Sequence, residues 1–540
     1  MALTAHANPL ARGLGLAGDC DRVTPPQHEN SMPSSRCALS SVLCIAMACG
    51  SPATLLPTAT TDNLALPAPA SDAPRIHISG RSLIVRNATL IDGVGGPPLV
   101  GIDVWVEDGR IHAIGPDLVT LQRPEIDATG LTVLPGLIST HAHVQSVPGS
   151  VLRGDDTATV EAQQKLQLRA YLASGITTVL DPAIGPDTAR RLRAWIDDGH
   201  PGPELLVLAP FITPAKGYMT SEEMRGAAFE EFWPAVDAST DLDALFADAR
   251  PLRPSGAKVA IEDGVVFSNL PEFDDETLGR IRRSAERNNV RLFVHSMANA
   301  DHRRALELNP YALVHVGLWD DIIAPDILHE LQRRGTYVMS TITLNHLAAW
   351  GWNRDFEDDP WVRQRVPLVQ WETATHPDAP RQLSHITADM MRPDWIPLKL
   401  AQAGAPMFTP SADDVAAATA SGVAAIAALQ EAGVPWIVGA DEGNSPAYTT
   451  FFHGVGTQIE LEQLDAGGIP RDAILAACTR RPAQMLGVEH RIGTLEVGKQ
   501  ADLILVADNP LEQGMVALRT IQWTIRDGEA RSPASWLADP

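Results

Sequence analysis

The sequence predicts an α/β protein built on a TIM barrel, eight parallel strands each followed by a helix, and three observations carry that reading. Short apolar runs of strand length alternate with helix-patterned stretches from residue 131 onward, and there are eight such runs. The intervening stretches carry start and stop signals. Ser411-Ala412-Asp413-Asp414 reads as a capping box ahead of an alanine-rich run to Leu429, which Gly433 closes. His, Lys and Asp side chains stand where several apolar runs give out, which is where a barrel of this kind keeps its chemistry.

The first run, Thr132 to Leu137, leads through Ile138-Ser139-Thr140 into His141-Ala142-His143. Residues i and i+2 at a strand end point the same way, so both imidazoles can bind one metal. The second and third runs are Ile176 to Leu180 and Leu205 to Ala209. The fourth, Lys258 to Ile261, carries Lys258, and the fifth, Arg291 to Val294, runs into His295. The sixth, Ala312 to Val314, runs into His315; the seventh is Thr336 to Met339, and the eighth, Trp436 to Val438, leads to Asp441. Ligand-type residues thus fall on strands 1, 4, 5, 6 and 8. Imidazole nitrogen and carboxylate oxygen suit zinc, and such a site keeps a coordination position for water. Metal-bound water loses its proton near neutral pH, which supplies a nucleophile without a serine or cysteine.

Further stretches flank the barrel: Asn87-Ala88-Thr89-Leu90-Ile91-Asp92-Gly93 and Val104-Trp105-Val106-Glu107-Asp108-Gly109-Arg110-Ile111 before it, and Arg491-Ile492-Gly493-Thr494-Leu495-Glu496-Val497-Gly498-Lys499-Gln500-Ala501-Asp502-Leu503 after it. With these, nearly everything after about residue 80 resembles the amidohydrolase superfamily, in the branch of imidazolonepropionase-like proteins and metal-dependent Xaa-Pro or Xaa-Arg dipeptidases. The resemblance implies a small β-sandwich assembled from both flanks, residues 76–134 and 488–535, around a barrel over 135–487, with Val104 to Ile111 in its first β-hairpin and Arg491 to Leu503 as the strand pair that returns to it. It implies His141, His143, His295, His315 and Asp441 as metal ligands, and Lys258 as a carbamate bridging two Zn2+ ions. A carbamate is an anionic oxygen ligand, whereas an ammonium has no lone pair. The other reading of Lys258 is an unmodified lysine paired with Glu262, with a single metal in the site. Gly439-Ala440-Asp441 stands where the family carries Gly-Thr-Asp, and the carboxylate is kept. The implied reaction is attack of metal-activated hydroxide on a carbonyl carbon, with Asp441 passing a proton to the departing nitrogen. That is hydrolysis of an amide or peptide-like C–N bond in a small substrate, a dipeptide or N-acyl amino acid.

The loop after strand 3 reads Ile212-Thr213-Pro214-Ala215-Lys216-Gly217-Tyr218 in place of the Gly-Gly-His run of the dipeptidase branch. Lys216 and Tyr218 are either holders of a substrate carboxylate or part of a solvated loop. Between strands 7 and 8 lies a long excursion with Trp350, Trp352, Trp361, Trp371 and Trp395, readable as a lid for bulky apolar substrates or as packing over the barrel. His346, His376 and His385 lack ligand spacing, and His453-Gly454 resembles a family position without an evident task.

A chain of 540 residues, 45% hydrophobic, can bury a large core, and its formal charge of −24 disfavours nucleic acid or an anionic membrane as a partner. Four of five cysteines, Cys20, Cys37, Cys44 and Cys49, precede residue 50, so the body has no disulfide framework. Residues 1–75 read as leader and linker. From Met32, Arg36, the apolar run Cys37 to Ala48 and the small-residue site Ala46-Met47-Ala48 resemble an export signal, too short to span a membrane. Ser51 to Pro74 would be a tether and Cys49 a candidate lipid anchor, placing the protein in the periplasm or cell envelope. Two rivals stand beside the dipeptidase-like reading: a cyclic amidase or deaminase of the same superfamily with one metal, and a catalytically dead scaffold. None of the six ligand positions is lost, which argues against the scaffold.

Overall fold

The computed structural model describes residues 56–60, 62–67, 75–119, 122–215, 217–218, 233–262, 271–315, 322–379, 412–446 and 448–538. Eighteen strands occur among them. In chain order they are β1 His77–Ile78, β2 Leu83–Leu90, β3 Leu99–Glu107, β4 Arg110–Gly115, β5 Glu125–Asp127, β6 Thr132–Pro135, β7 Leu137–Ser139, β8 Ile176–Asp181 and β9 Glu204–Val207. There follow β10 Phe211–Ile212, β11 Ala257–Ala260, β12 Leu292–His295, β13 Ala312–Val314, β14 Tyr337–Met339, β15 Trp436–Ile437, β16 Leu503–Val506, β17 Ile521–Arg526 and β18 Glu529–Arg531.

The fold is α/β with parallel sheets. One parallel sheet runs β7-β8-β9 and a second runs β10-β11-β12-β13-β14-β15. Helices fill the connections, among them Thr157–Ala173, Asp275–Asn288 and Ala412–Glu431, and Asp156 and Asp274 cap the first two through their carboxylates. Nearly every residue of these parallel strands is buried, which is why they read as unbroken apolar runs rather than alternating ones. Hydrogen bonds also join the two sheets at both ends. Ser255 N donates to Val207 O and Ala209 N to Gly256 O at one side, and Thr140 N donates to Val438 O at the other, beside a parallel bridge between Ala142 and Glu442. Side chains from both sheets share one buried cluster: Ile138, Leu180, Phe293, Val314, Met339 and Ile437.

The flanks build a single nine-stranded mixed sheet, ordered β1-β18-β17-β16-β6-β2-β3-β4 with β5 paired to β2. Its core holds Leu83, Val85, Val104, Val106, Leu503, Leu505 and Ile525. The stretch Gly493 to Gly498 is not a strand; it is a turn whose Leu495 N donates to Asp92 O, with φ +92° at Gly498, and the strands that return to the sheet are β16 and β17. The first apolar run divides at Gly136. Thr132–Pro135 pairs with β16 in the mixed sheet, while Leu137–Ser139 opens the parallel sheet against β8. A Cβ at 136 would overlap the Thr177 side chain, so only glycine lets the chain pass from one sheet to the other here. Gly136→Ala is expected to destabilise the protein by about 1–3 kcal/mol, measured by denaturant unfolding, because the overlap lies in a packed core.

The described indoles of the long excursion form a core of their own. Trp350 is buried among Leu347, Phe356, Phe451 and Phe452, and Trp361 and Trp371 pack against the same group. Guanidinium groups of Arg365 and Arg363 lie 3.9 and 4.8 Å from the Trp361 and Trp371 ring centres. These rings serve packing. Trp395, His385 and Ser411 fall outside the described residues. Cys478 is free and buried, and burial pushes its thiol up to about 12, so it is inert. Among the described residues no helix is long and apolar enough to cross a membrane.

Candidate metal centre

The parallel strands bring the expected side chains together. His141 and His143 follow β7, His295 ends β12, His315 follows β13 and Asp441 stands four residues beyond β15. His141 Nε2 lies 3.2 Å from His143 Nε2, and Asp441 Oδ1 lies 3.2 and 3.0 Å from those two atoms. Ligand atoms of His141, His315 and Asp441 all fall within 4.8 Å of one another. The His315 ring is centred 4.7 Å from that of His141 and 4.8 Å from that of His295, so a continuous row of imidazoles crosses the site.

Lys258 enters differently from the sequence expectation. It is the second residue of β11, not a residue at its end, and it pairs in register with Phe293, whereas Ala260 is level with His295. Two strand residues span about 6.6 Å, a distance that the four-carbon stem of lysine covers. The side chain is buried at 2% exposure, with Asp441, Asp181 and Glu262 as its charged surroundings. Lys258 does not monopolise Glu262, because Glu262 Oε2 lies 2.6 Å from His295 Nε2.

Burial dominates the electrostatics. It pushes His141, His295 and His315 well below the usual imidazole range, with Asp441 opposing in each case, so these rings are neutral and keep a lone pair. Burial also lowers the Lys258 ammonium to about 8, against the pull of Asp441. For Asp441 burial works upward, yet His141, His143 and His315 together hold the carboxyl well below its usual range. The centre is therefore a set of neutral imidazoles facing an ionised carboxylate.

Three residues at the strand ends have left-handed φ values: His315 at +72°, Thr341 at +125° and Asp441 at +54°. Such angles are costly for side chains with a Cβ, above all for β-branched threonine, and they cluster at functional sites. Hydrogen bonds hold them. His315 Nδ1 lies 2.9 Å from Thr341 Oγ1, and Asn444 Nδ2 donates to Asp441 Oδ2 at 2.6 Å.

Of the two expected substrate contacts, Tyr218 stacks on His295 with ring centres 4.5 Å apart and planes at 25°, so it belongs to the site. Lys216 lies outside the described residues. Sequence reasoning missed Asp181, which ends β8 and is buried beside His143, although it ends an apolar run just as His295 does. It also missed a brace beneath His143. His143 N donates to Glu442 O; Glu442 accepts from Thr457 N, and His453 links Tyr171 Oη at 2.8 Å to Ser146 O at 2.9 Å. His453 is thus structural, and burial keeps it neutral, with its pKa down to about 4.

The residues fit a divalent cation. Tetrahedral bonds of about 2.0–2.2 Å space their ligands by about 3.3 Å or slightly more, close to the edges of the His141–His143–Asp441 triangle. His295 Nδ1 is buried with no hydrogen-bond partner, so with Nε2 on Glu262 it is the nitrogen left for an ion.

Neutral imidazoles and a carboxylate gathered at the ends of parallel strands define a candidate metal site. The match of the Amidohydrolase family profile over residues 132–531 then places the chain: it belongs to the amidohydrolase family. Local likeness reaches an allantoinase of Solibacter usitatus (strain Ellin6076), 38% identical over 98 residues, which is 18% of this chain and 19% of that one. An allantoinase of Rubrobacter xylanophilus (strain DSM 9941 / JCM 11954 / NBRC 16129 / PRD-1) is 50% identical over 66 residues, 12% of this chain and 14% of that one. The chain thus spans less than a fifth of the length of these relatives. Among solved structures, a Xaa-Pro dipeptidase with bound methionine superposes with TM-score 0.59 at 20% identity over 83% of this chain and 98% of its own. A. niger ochratoxinase gives TM-score 0.59 at 18% identity over 83% and 95%. These likenesses show the shared fold.

Proposed function

We propose that the protein hydrolyses an amide or peptide-like C–N bond of a small substrate, a dipeptide or N-acyl amino acid, in the manner of the Xaa-Pro or Xaa-Arg dipeptidase branch. The observation that carries this reading is the 3.0–3.2 Å triangle of His141, His143 and Asp441 with His315 and His295 directly behind it. His141, His143 and Asp441 would hold one Zn2+, His295 and His315 a second, and Lys258, as a carbamate, would serve both. When bound, such ions acidify water and polarise a carbonyl.

The chain's own groups do the rest. Asp441 turns Oδ1 to the histidines and keeps Oδ2 on Asn444, and this carboxylate takes a proton from the attacking water and returns it to the leaving nitrogen. The Tyr218 hydroxyl, with its ring fixed on His295, and the Lys216 ammonium hold the substrate carboxylate. The two parallel sheets are halves of one closed eight-stranded barrel, with β9 and β10 forming a single interrupted strand, and this reading rests on the hydrogen bonds that join them at both ends. The domains run 76–134 and 488–535 for the small β domain and 135–487 for the barrel; of the expected leader and linker over residues 1–75, the described segment 62–67 is no free tether, since Leu66 is buried against Leu166, Leu172 and Trp536 and Leu368 N donates to Ala65 O. Export to the periplasm or cell envelope through the signal beginning at Met32, with Cys49 as lipid anchor, is part of the same proposal. An intact Met1 on protein from its native host would refute it.

Metal analysis and a substrate screen test the activity. Two divalent ions per chain and turnover of dipeptides or N-acyl amino acids are expected. The allantoinase likeness favours one alternative, a cyclic amidase. One ion per chain with turnover only of cyclic amides or ring C=N bonds would select that alternative or a deaminase.

A further inference from the structure

We propose that Thr341 and Glu460 are positioning residues for His315: Glu460 holds the backbone after β14 so that the Thr341 hydroxyl fixes the His315 ring with Nε2 toward the centre. This rests on the reading of His315 as a metal ligand. Glu460 lies in the helix Gly456–Ala466 and is fully buried. Its Oε1 accepts hydrogen bonds from Thr341 N at 3.1 Å and Ile342 N at 3.2 Å, and its Oε2 accepts one from Thr343 N at 2.8 Å. Three consecutive backbone donors on one carboxylate are a specific clamp, and they surround the least comfortable residue of the site, Thr341 at φ +125°. A β-branched residue stays at that angle only where its surroundings impose it.

The strain has a local consequence. It carries Thr341 Oγ1 to 2.9 Å from His315 Nδ1. A neutral imidazole has one N–H and one lone pair, so an Nδ1–H donated to the threonine oxygen leaves the lone pair on Nε2. His315 and His295 then offer opposite nitrogens, because His295 spends Nε2 on Glu262 and keeps Nδ1. The same helix reaches further. Thr457, three residues before Glu460 and so on the same helical face, donates its backbone N–H to Glu442 Oε1 and its hydroxyl to Ser139 Oγ at 3.0 Å. One helix therefore braces the ends of β7, β14 and β15 together.

The test uses the full chain in metal-free form, titrated with Zn2+ against a chelator, together with nitrogen NMR of its histidine rings. Thr341→Val keeps the shape and the backbone strain but removes the oxygen; Zn2+ affinity is expected to fall about 10- to 100-fold. Thr341→Ser should restore most of it. Thr341→Gly relieves the φ of +125° and should melt no lower than the wild type, yet bind Zn2+ as weakly as Thr341→Val. Glu460→Gln should weaken binding in the same direction. In the metal-free wild type the His315 ring is expected in its Nδ1–H form, and that preference should vanish in Thr341→Val. Unchanged Zn2+ affinity in both Thr341→Val and Thr341→Gly, or an unchanged His315 tautomer in Thr341→Val, would overturn the proposal. Because the ring readout needs no metal, a wild-type chain that bound no Zn2+ would refute the proposed function while leaving this inference standing or falling on the tautomer.

Discussion

Asp441→Asn is expected to lower kcat by about 10²- to 10⁴-fold, the usual worth of a positioned proton-transfer group, and to weaken metal binding as well. The exchange preserves shape and removes charge, so it separates the two. The carboxyl is held well below its usual range, its burial opposed by the surrounding His141, His143 and His315. An amide in its place brings its NH2 either to the nitrogens of His141 and His143 or to Asn444 Nδ2, and so withdraws one of the two acceptor oxygens that the carboxylate offers them. Because its pKa is depressed in the folded chain, the ionised carboxylate stabilises the metal-free fold at neutral pH, so the metal-free variant is expected to melt below the metal-free wild type. His141→Ala is expected to be as inactive through loss of the ion, and it empties a fully buried position besides. Steady-state kinetics, metal content and melting curves on the three proteins check this. Full turnover by either variant would remove the assigned roles.

The parallel strands were legible because they are buried on both faces, which leaves short unbroken apolar runs, recognisable by their length and by the helix-patterned stretches between them. Ala312–Val314 was found to the residue, and Ile176, Leu205 and Trp436 were placed within a residue or so of their strand ends. The first run was misread as one strand because hydrophobicity carries no mark of the change of sheet at Gly136; that change depends on the closeness of Thr177, a contact between residues some forty positions apart. The returning flank was misplaced for a related reason. Thr494-Leu495-Glu496-Val497 has strand-like alternation, but Gly493 and Gly498 both hold left-handed angles and fold it into a turn. In the site, the histidines and Asp441 at the strand ends were recoverable from spacing, Asp181 was not, and neither were the residues that hold them. Glu460 sits in a helix with several polar neighbours, where a glutamate ordinarily faces water, and Thr341 gains its task from a backbone angle that no side-chain pattern encodes.

Lys258→Met is the second large effect, and its sign in the metal-free chain opposes its sign in the active one. Methionine fills nearly the same volume without the nitrogen, and in the metal-free protein the nitrogen is a liability: it lies in a fully buried site that pushes its pKa down to about 8, below what the carboxylates nearby would maintain in water. Melting of the metal-free variant should therefore equal or exceed that of the wild type. The loaded enzyme should respond the other way. If Lys258 carries a carbamate serving two ions, its loss leaves only His295 and His315 for the second, too few to hold a divalent cation firmly. Metal content should drop from two ions to one and turnover should be lost, while native mass measurement of the wild type shows an added carbon dioxide that the variant lacks. The competing view, a lysine that merely neutralises Glu262, loses ground to the 2.6 Å contact between Glu262 and His295, which leaves that carboxylate partnered without the amine. A Lys258→Met enzyme that kept two ions and wild-type turnover would return the lysine to a purely structural role.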